Sequence, residues 1–177
     1  MKYKFWKYVY LLVTTSMLVG SANTSYSQEK YIGLDAIPIE LKSTQGWLIR
    51  NSSYGVSEVV NADCFDNFSC NSRSTHMVWL QKFLGNKPDG QAIFKVVDTI
   101  DLIAENISNQ KEQILPFCSL NQQSTPEIFA WGVFEYDQDF LTKISKAWRV
   151  DTQTGKFQEI PTDSVVCINP AGANYNG

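Results

Sequence analysis

Short apolar runs separated by turn-forming residues recur along most of the chain. An apolar run at 46–50 is followed by a segment at 51–55 that is rich in Asn, Ser and Gly, and then by a second apolar run at 56–60. Asparagine, serine and glycine favour tight turns because they tolerate or stabilise turn backbone conformations. The pattern therefore predicts a β-hairpin across residues 46–60.

The same pattern predicts three further hairpins and a last strand. One of the intervening turns ends in Pro88-Asp89-Gly90, which are strong turn formers. Both faces of the stretch 75–84 carry large apolar side chains, which favours a strand buried on both sides, although a short helix is the rival interpretation. The predicted strands are 75–84 with 91–102, 114–120 with 127–135, 149–151 with 156–160, and the single strand 164–168.

One segment carries the pattern of an amphipathic helix. Between residues 137 and 148, acidic residues come first, lysines come late, and apolar side chains recur at helical spacing. The apolar stripe consists of Phe140, Leu141, Ile144, Ala147 and Trp148. The sequence therefore predicts an α+β fold, with a mainly antiparallel β-sheet of hairpins and one main helix near residues 137–148.

The first 27 residues have the composition of a secretory signal peptide. Lys2, Lys4 and Lys7 precede an uncharged stretch at 8–19, after which the chain becomes small and polar. The apolar stretch is shorter than the roughly 20 residues that cross a bilayer. Cleavage before Asn23 or before Gln28 fits the small residues present, and we favour Gln28. We expect a signal peptide at 1–27, one globular domain at 28–169 and a disordered polar tail at 170–177.

The predicted exported chain is acidic. Removing residues 1–27 takes away three lysines and no acidic residue, which moves the formal net charge from −3 to −6. A negative domain of this size repels phosphate backbones and anionic lipid headgroups. Nucleic acid and lipid surfaces are therefore not expected partners. No stable membrane anchor is expected after cleavage, because no later stretch of the sequence is apolar enough to span a membrane.

All four cysteines follow the predicted cleavage site, and an even number in an exported chain predicts two disulfides. Three pairings are possible among Cys64, Cys70, Cys118 and Cys167. We favour Cys64 with Cys70 across a short polar loop, which leaves Cys118 to bridge Cys167. A metal site is the weaker interpretation, because the spacing lacks a close cysteine pair and the chain has a single histidine.

Part of the chain resembles a known group of proteins. Residues 147–161 and 165–169, together with shorter stretches such as 94–98, look like the C-terminal part of small exported cyanobacterial proteins of unknown function. The resemblance covers mainly residues 89–169. It implies a shared fold and location, and it implies no mechanism.

Few residues are candidates for chemistry. His76 is the only histidine, so any histidine-dependent base or ligand role falls on it. Trp79 and Trp131 could form a platform for sugar rings, although tryptophans in strands more often belong to the core. Two carboxylates close together could form a glycosidase pair, but solvated charge is the simpler interpretation. The acidic sets are Asp63 with Asp66, Asp98 with Asp101, and Glu135 with Asp137 and Asp139.

These patterns favour a non-enzymatic binding or interaction module of the periplasm or the extracellular space. No catalytic, cofactor or metal residue is assigned, and the partner that we expect is a protein or a glycan. One variant of this interpretation is an inhibitor that places the acidic loop at 63–69 in a basic cleft. The alternative is a small secreted hydrolase that acts through carboxylates, with or without His76.

Overall fold

A computed structural model describes residues 29–63, 76–103, 112–121, 123–125 and 127–169. These residues form twelve β-strands in three four-stranded antiparallel sheets, preceded by a 3-10 turn at Glu29–Tyr31. The strands are β1 Leu41–Leu48, β2 Tyr54–Asn61, β3 His76–Asn86, β4 Ala92–Asp101, β5 Glu112–Leu115, β6 Cys118–Leu120, β7 Gln123–Ser124, β8 Ile128–Val133, β9 Phe140–Leu141, β10 Ile144–Asp151, β11 Lys156–Ile160 and β12 Val165–Ile168. The antiparallel pairing was predicted correctly, but the α+β class was wrong because the fold is nearly all β.

Sheet 1 has the strand order β1-β2-β3-β4, so each strand pairs with the next one along the chain. Its β1–β2 and β3–β4 hairpins confirm the first two hairpins that the turn residues predict. Asn51 takes the positive φ of 59° that the first turn needs, and Ile49 N–H donates to Tyr54 O at 2.9 Å. Asparagine tolerates this conformation better than most residues.

Sheet 2 has the strand order β11-β10-β8-β5. Its β10–β11 hairpin confirms the predicted hairpin across residues 149–160. The helix predicted at 137–148 is wrong, because this segment forms β9 and most of β10. Ala147 and Trp148 are adjacent and both buried, but they belong to different cores on opposite faces of sheet 2. A strand buried on both faces produces the same apolar spacing as a helix.

Sheet 3 has the strand order β7-β6-β12-β9, and its strands are two to four residues long. The strand predicted at 114–120 is two strands, since the chain turns at Pro116 and Phe117. Phe117 has a positive φ of 58°, and the turn sends β5 to sheet 2 and β6 to sheet 3. Strand β5 pairs with β8, but β6 pairs with β7 and β12, so only residues 114 and 115 of the third predicted hairpin pair as expected.

Sheets 1 and 2 pack face to face around a core that is rich in aromatic side chains, here called the first core. Phe129 of β8 lies within it and contacts the rings of Trp47, Trp148 and Phe157 at centroid distances of 5.4 to 5.8 Å. The buried members of the first core are Ile49, Tyr54, Val56, Val78, Leu80, Ile100, Leu102, Ile114, Phe129, Trp131, Trp148 and Val150.

The opposite face of sheet 2 packs on sheet 3 around the second core. Its side chains are smaller than those of the first core and include the two cysteines of a disulfide. The buried members of the second core are Leu115, Cys118, Ile128, Ala130, Leu141, Ala147, Val165 and Cys167. Sheet 2 is therefore the middle layer of the molecule, and its strands β8 and β10 are buried on both faces.

The outer face of sheet 1 is covered in part by the segment that precedes β1. Tyr31 and Leu34 pack over Met77 and Trp79 of β3, and the rings of Tyr31 and Trp79 lie 5.3 Å apart. The backbone of the same segment bonds to the free edge of β4, since Gly33 N–H donates to Val96 O at 2.8 Å. This covering gives β3 the second buried face that its sequence predicts.

Asp98 of β4 joins the outer edges of sheets 1 and 2. One oxygen of its carboxylate accepts from the backbone N–H of Phe157 in β11 at 2.8 Å, and the other lies 3.1 Å from Lys156 Nζ. The N–H of Phe157 points away from β10, which lies on the other side of β11. A side chain therefore supplies the bond that a further strand would otherwise make.

The predicted disulfide between Cys118 and Cys167 is confirmed. The two cysteines are directly opposite each other in the β6–β12 pair, and they are separated by 49 positions in the sequence. Cys64 and Cys70, the predicted signal peptide at 1–27 and the predicted tail at 170–177 lie outside the described residues. Within the described ranges, no helix is long and apolar enough to span a bilayer.

Candidate functional site

His76 is the first residue of β3 and faces a carboxylate. Its Nε2 lies 2.6 Å from Oε1 of Glu58 in the neighbouring strand β2, and the side chain is 28% exposed. The imidazole also meets the ring of Trp131 from sheet 2 edge to face, with centroids 5.3 Å apart. The single histidine is thus a packed, hydrogen-bonded residue between the two sheets.

Glu58 is held by donors from β1 as well as by His76. Thr44 Oγ1 and Gln45 Nε2 donate to its Oε2 at 2.7 and 2.9 Å. A β-bulge makes this possible, because the register passes from Ser43 opposite Val59 to Gln45 opposite Glu58 and leaves Thr44 as the extra residue. Bulges re-aim side chains in this way.

The environment of Glu58 favours its ionised form. Burial raises the pKa of the carboxyl, but the hydrogen bonds from His76, Thr44 and Gln45 and the charge of His76 lower it more. The net pKa therefore lies below the ordinary value of 4.5. Glu58 is a carboxylate that stays charged although its side chain is only 12% exposed.

A cleft of about 270 Å³ opens beside Glu58, where strands of all three sheets come together. This cleft is here called the Glu58 cleft. Three of its lining residues are polar, and they comprise one carboxylate and two primary amides. The remaining lining residues are apolar. The polar residues are Gln45, Glu58 and Gln113, and the apolar ones are Ile114, Leu115, Pro116, Phe134, Leu141 and Ile168.

A second carboxylate fixes the strand that carries Gln113. Glu112 of β5 accepts a hydrogen bond from Trp131 Nε1 at 3.1 Å, and it also accepts one from Ser145 Oγ. These bonds tie β5 to β8 and β10 through side chains in addition to the backbone ladder. Gln113 is therefore displayed at the cleft from a strand whose position is well determined.

The acidic sets that the sequence singles out do not line the Glu58 cleft as far as the described residues show. Asp98 bonds to β11, and Glu135 forms an ion pair with Lys143 at 2.6 Å. Asp101 accepts from the N–H of Ile103 at 3.0 Å. Asp66 lies outside the described residues. Asp98, Asp101 and Glu135 thus serve as partners of backbone and lysine groups.

Trp79 and Trp131 are core residues, with 0% and 3% of their surface exposed, so they offer no platform for a sugar ring. The exposed aromatic side chains are different ones. Tyr136 is 78% exposed, and its ring packs against Phe134 of the Glu58 cleft at a centroid distance of 4.9 Å. Phe117 and Phe140 are also exposed large apolar residues.

No group of three His, Cys, Asp or Glu side chains in the described part of the chain could hold a metal ion. Comparisons of the chain with protein-family models, with curated proteins and with solved structures found no match. The resemblance to small exported cyanobacterial proteins therefore stays a prediction.

Proposed function

We propose that the chain is an exported, non-enzymatic binding module that recognises a protein or glycan ligand through the Glu58 cleft. The observation that carries this proposal is the composition of the cleft, in which a charged carboxylate and two amides adjoin apolar walls. Binding sites commonly combine a mostly apolar lining with a few polar groups that fix the orientation of the ligand.

The proposal of export rests on the predicted signal peptide and on the disulfide. Disulfides persist in oxidising compartments such as the periplasm and the extracellular space, and they are rare in the cytosol. The Cys118–Cys167 bond is compatible with such a location. We include the resemblance to small exported cyanobacterial proteins in this proposal, because it implies the same location.

A binding role accounts for the geometry around Glu58 better than the hydrolase alternative does. Glycoside hydrolysis needs two carboxyl groups flanking the bond to be broken. Glu58 is the one acidic residue in the cleft lining that the structure describes, and His76 is not part of that lining. The donors around Glu58 hold it in place and ionised, which suits recognition of a ligand.

The test blocks the cleft without disturbing the core. Gln113 is exposed, so the Gln113→Trp variant places a bulky side chain at the cleft lip. The matched control is Gln153→Trp in the β10–β11 turn, which is also exposed and lies outside the cleft lining. The exported wild-type chain and both variants are used as bait against envelope extract and on a glycan array.

We expect the wild type and Gln153→Trp to retain the same specific ligand and Gln113→Trp to lose it. Equal retention of that ligand by all three proteins would show that the cleft is not the binding site. Failure of the wild type to retain any specific protein or glycan at micromolar bait concentration would contradict the proposed function as a whole.

A further inference from the structure

We infer that the Glu58 cleft takes the side chain of a lysine or arginine that a basic partner protein presents. The inference rests on the proposed function and names the class of ligand. Three observations support it: the carboxylate of Glu58 in the cleft, the apolar residues of the same lining, and the net negative charge of the chain.

The polar end of the cleft offers acceptors to a donor-rich head group. A carboxylate has about four acceptor positions. At Glu58, the donors that we describe are Thr44, Gln45 and His76, which leaves room for one more. Gln45, which is hydrogen-bonded to Glu58, and Gln113 add the acceptor oxygens of their amides to the cleft lining. An ammonium or guanidinium group carries only donors, so it matches this end of the cleft.

The walls of the cleft suit a chain of methylene groups. Leu115, Leu141 and Ile168 contribute aliphatic surface to the same cleft lining as Glu58. Lysine and arginine bury their aliphatic stems along apolar surface while their charged ends reach polar groups. A side chain that enters the cleft with its charge toward Glu58 therefore satisfies both kinds of lining at once.

The charge of the molecule favours a basic partner. The exported chain carries 12 Lys and Arg against 18 Asp and Glu once the three lysines of the predicted signal are removed from the total of 15. A negative domain attracts positively charged surfaces and speeds their association. A neutral saccharide would gain nothing from this charge. Sugar rings often stack on aromatic side chains, but the one aromatic ring in the described cleft lining, that of Phe134, already packs against Tyr136.

The experiment compares small capped amino acids as ligands of the exported chain by NMR titration. N-acetyl-lysine methylamide is the main probe. N-acetyl-norleucine methylamide keeps the aliphatic stem without the charge, and N-acetylglucosamine represents a glycan. We expect the lysine probe to bind at least about tenfold more tightly than norleucine and to shift the backbone amides of Gln113, Leu115 and Leu141.

Charges of opposite sign introduced at Gln113 give a second and independent readout. Gln113→Glu should strengthen binding of the lysine probe several-fold, and Gln113→Lys should weaken it by a similar factor. The matched control variants Gln153→Glu and Gln153→Lys carry the same charges in the β10–β11 turn and should leave the affinity within about twofold. Because both positions are exposed, all four variants are expected to fold.

Several outcomes would overturn the inference. Equal binding of norleucine and lysine would indicate an apolar site that does not read charge, and binding of N-acetylglucosamine at the cleft would indicate a glycan ligand. If the lysine probe does not bind at millimolar concentration while Gln113→Trp still abolishes ligand capture, the inference is wrong and the proposed function stands. If Gln113→Trp has no effect on capture, the proposed function fails as well.

Discussion

The first core and the second core stabilise the two faces of sheet 2 in different ways. The first core lies between sheets whose strands are mostly five or more residues long, and its members include Phe129, Trp131 and Trp148. The second core faces sheet 3, in which no described strand exceeds four residues, and it contains small side chains and a disulfide. Large aromatic side chains bury much more apolar surface than alanine or valine does.

This difference indicates what each interface depends on. The first core is stabilised by apolar burial between long strands, and its described members include no disulfide. Sheet 3 has little apolar area and few ladder hydrogen bonds, so a covalent bond between β6 and β12 compensates for both. The two interfaces should therefore respond differently to truncation of a side chain and to loss of the disulfide.

The largest effect is expected at Phe129, which is fully buried in the first core. Phe129→Ala removes a ring that contacts three other aromatic residues, and it leaves a cavity between sheets 1 and 2. We expect the free energy of unfolding to fall by about 3–5 kcal/mol, measured by urea denaturation. A loss below about 1 kcal/mol would show that the first core does not dominate stability.

Loss of the disulfide should act on sheet 3 first. Replacing Cys118 and Cys167 together with serine should lower the free energy of unfolding by about 2–5 kcal/mol, because the bond closes a loop of 49 positions. Hydrogen exchange should show that Val165–Ile168 loses protection before the strands of sheet 1 do. Replacing both cysteines with alanine controls for the hydroxyl groups that serine would bury. If hydrogen-exchange protection falls equally in all three sheets, the two cores do not differ in the way described.

Gly132 of β8 tests how closely the middle layer is packed. A Cβ atom at this position would collide with the backbone oxygen of Lys143 and would lie 3.1 Å from Leu115 Cδ1 in the second core. We expect Gly132→Ala to lower the free energy of unfolding by about 1–3 kcal/mol. Gly90→Ala serves as the comparison variant, because no neighbouring atom lies within 4 Å of the added Cβ. Any loss of unfolding free energy in Gly90→Ala comes from the positive φ of 88° and not from a steric clash.

The smallest effect should be an acid-dependent one at Glu58. Since the folded-state pKa of Glu58 is lowered from 4.5, its contribution to stability is present above that pH and is lost as the pH falls through the folded-state pKa. Glu58→Gln should therefore flatten the fall in unfolding free energy below pH 4.5. The Glu40→Gln variant, at an exposed position, serves as the control. If the unfolding free energy of Glu58→Gln falls at acid pH as steeply as that of the wild type, Glu58 does not contribute to the acid dependence of stability.

Much of the strand pairing could be predicted from local sequence. The turns that contain Asn51, Pro88-Asp89-Gly90 and Gly155 have residue types that suit tight turns, and the strands on either side of each turn pair as expected. The Cys118–Cys167 bond was favoured among three possible pairings, because Cys64 and Cys70 bracket a short polar loop that can close on itself. These features depend on neighbours in the sequence or on counting, so they can be read without knowing the fold.

The segment at 137–148 could not be predicted in the same way. Strand β10 has apolar residues on both faces, and its register with β8 is irregular between Ile144 and Lys146. Both features remove the simple alternation that identifies a half-buried strand, and they leave a pattern that also fits a helix. The error at residues 137–148 therefore comes from an apolar pattern that fits a strand buried on two sides as well as it fits a helix.

Only part of the candidate site could be found from sequence. His76 drew attention as the single histidine, but its partner Glu58 did not, although a lone acidic residue among the valines of the run 56–60 is a usable signal. Gln113 carries no such signal, because its role depends on β5 lying near β1 and β2. Contacts between residues distant in the chain decide which polar side chains share a cleft.

The bond from Phe157 to Asp98 bears on how the protein behaves at high concentration. An outermost strand with free N–H groups is a template for growth by edge-to-edge association, which leads to aggregates. In β11 the carboxylate of Asp98 already occupies the N–H of Phe157, and Lys156 lies beside it. A strand from another molecule would have to displace this charged pair before it could pair there, so the bond protects sheet 2 against self-association as well as joining it to sheet 1.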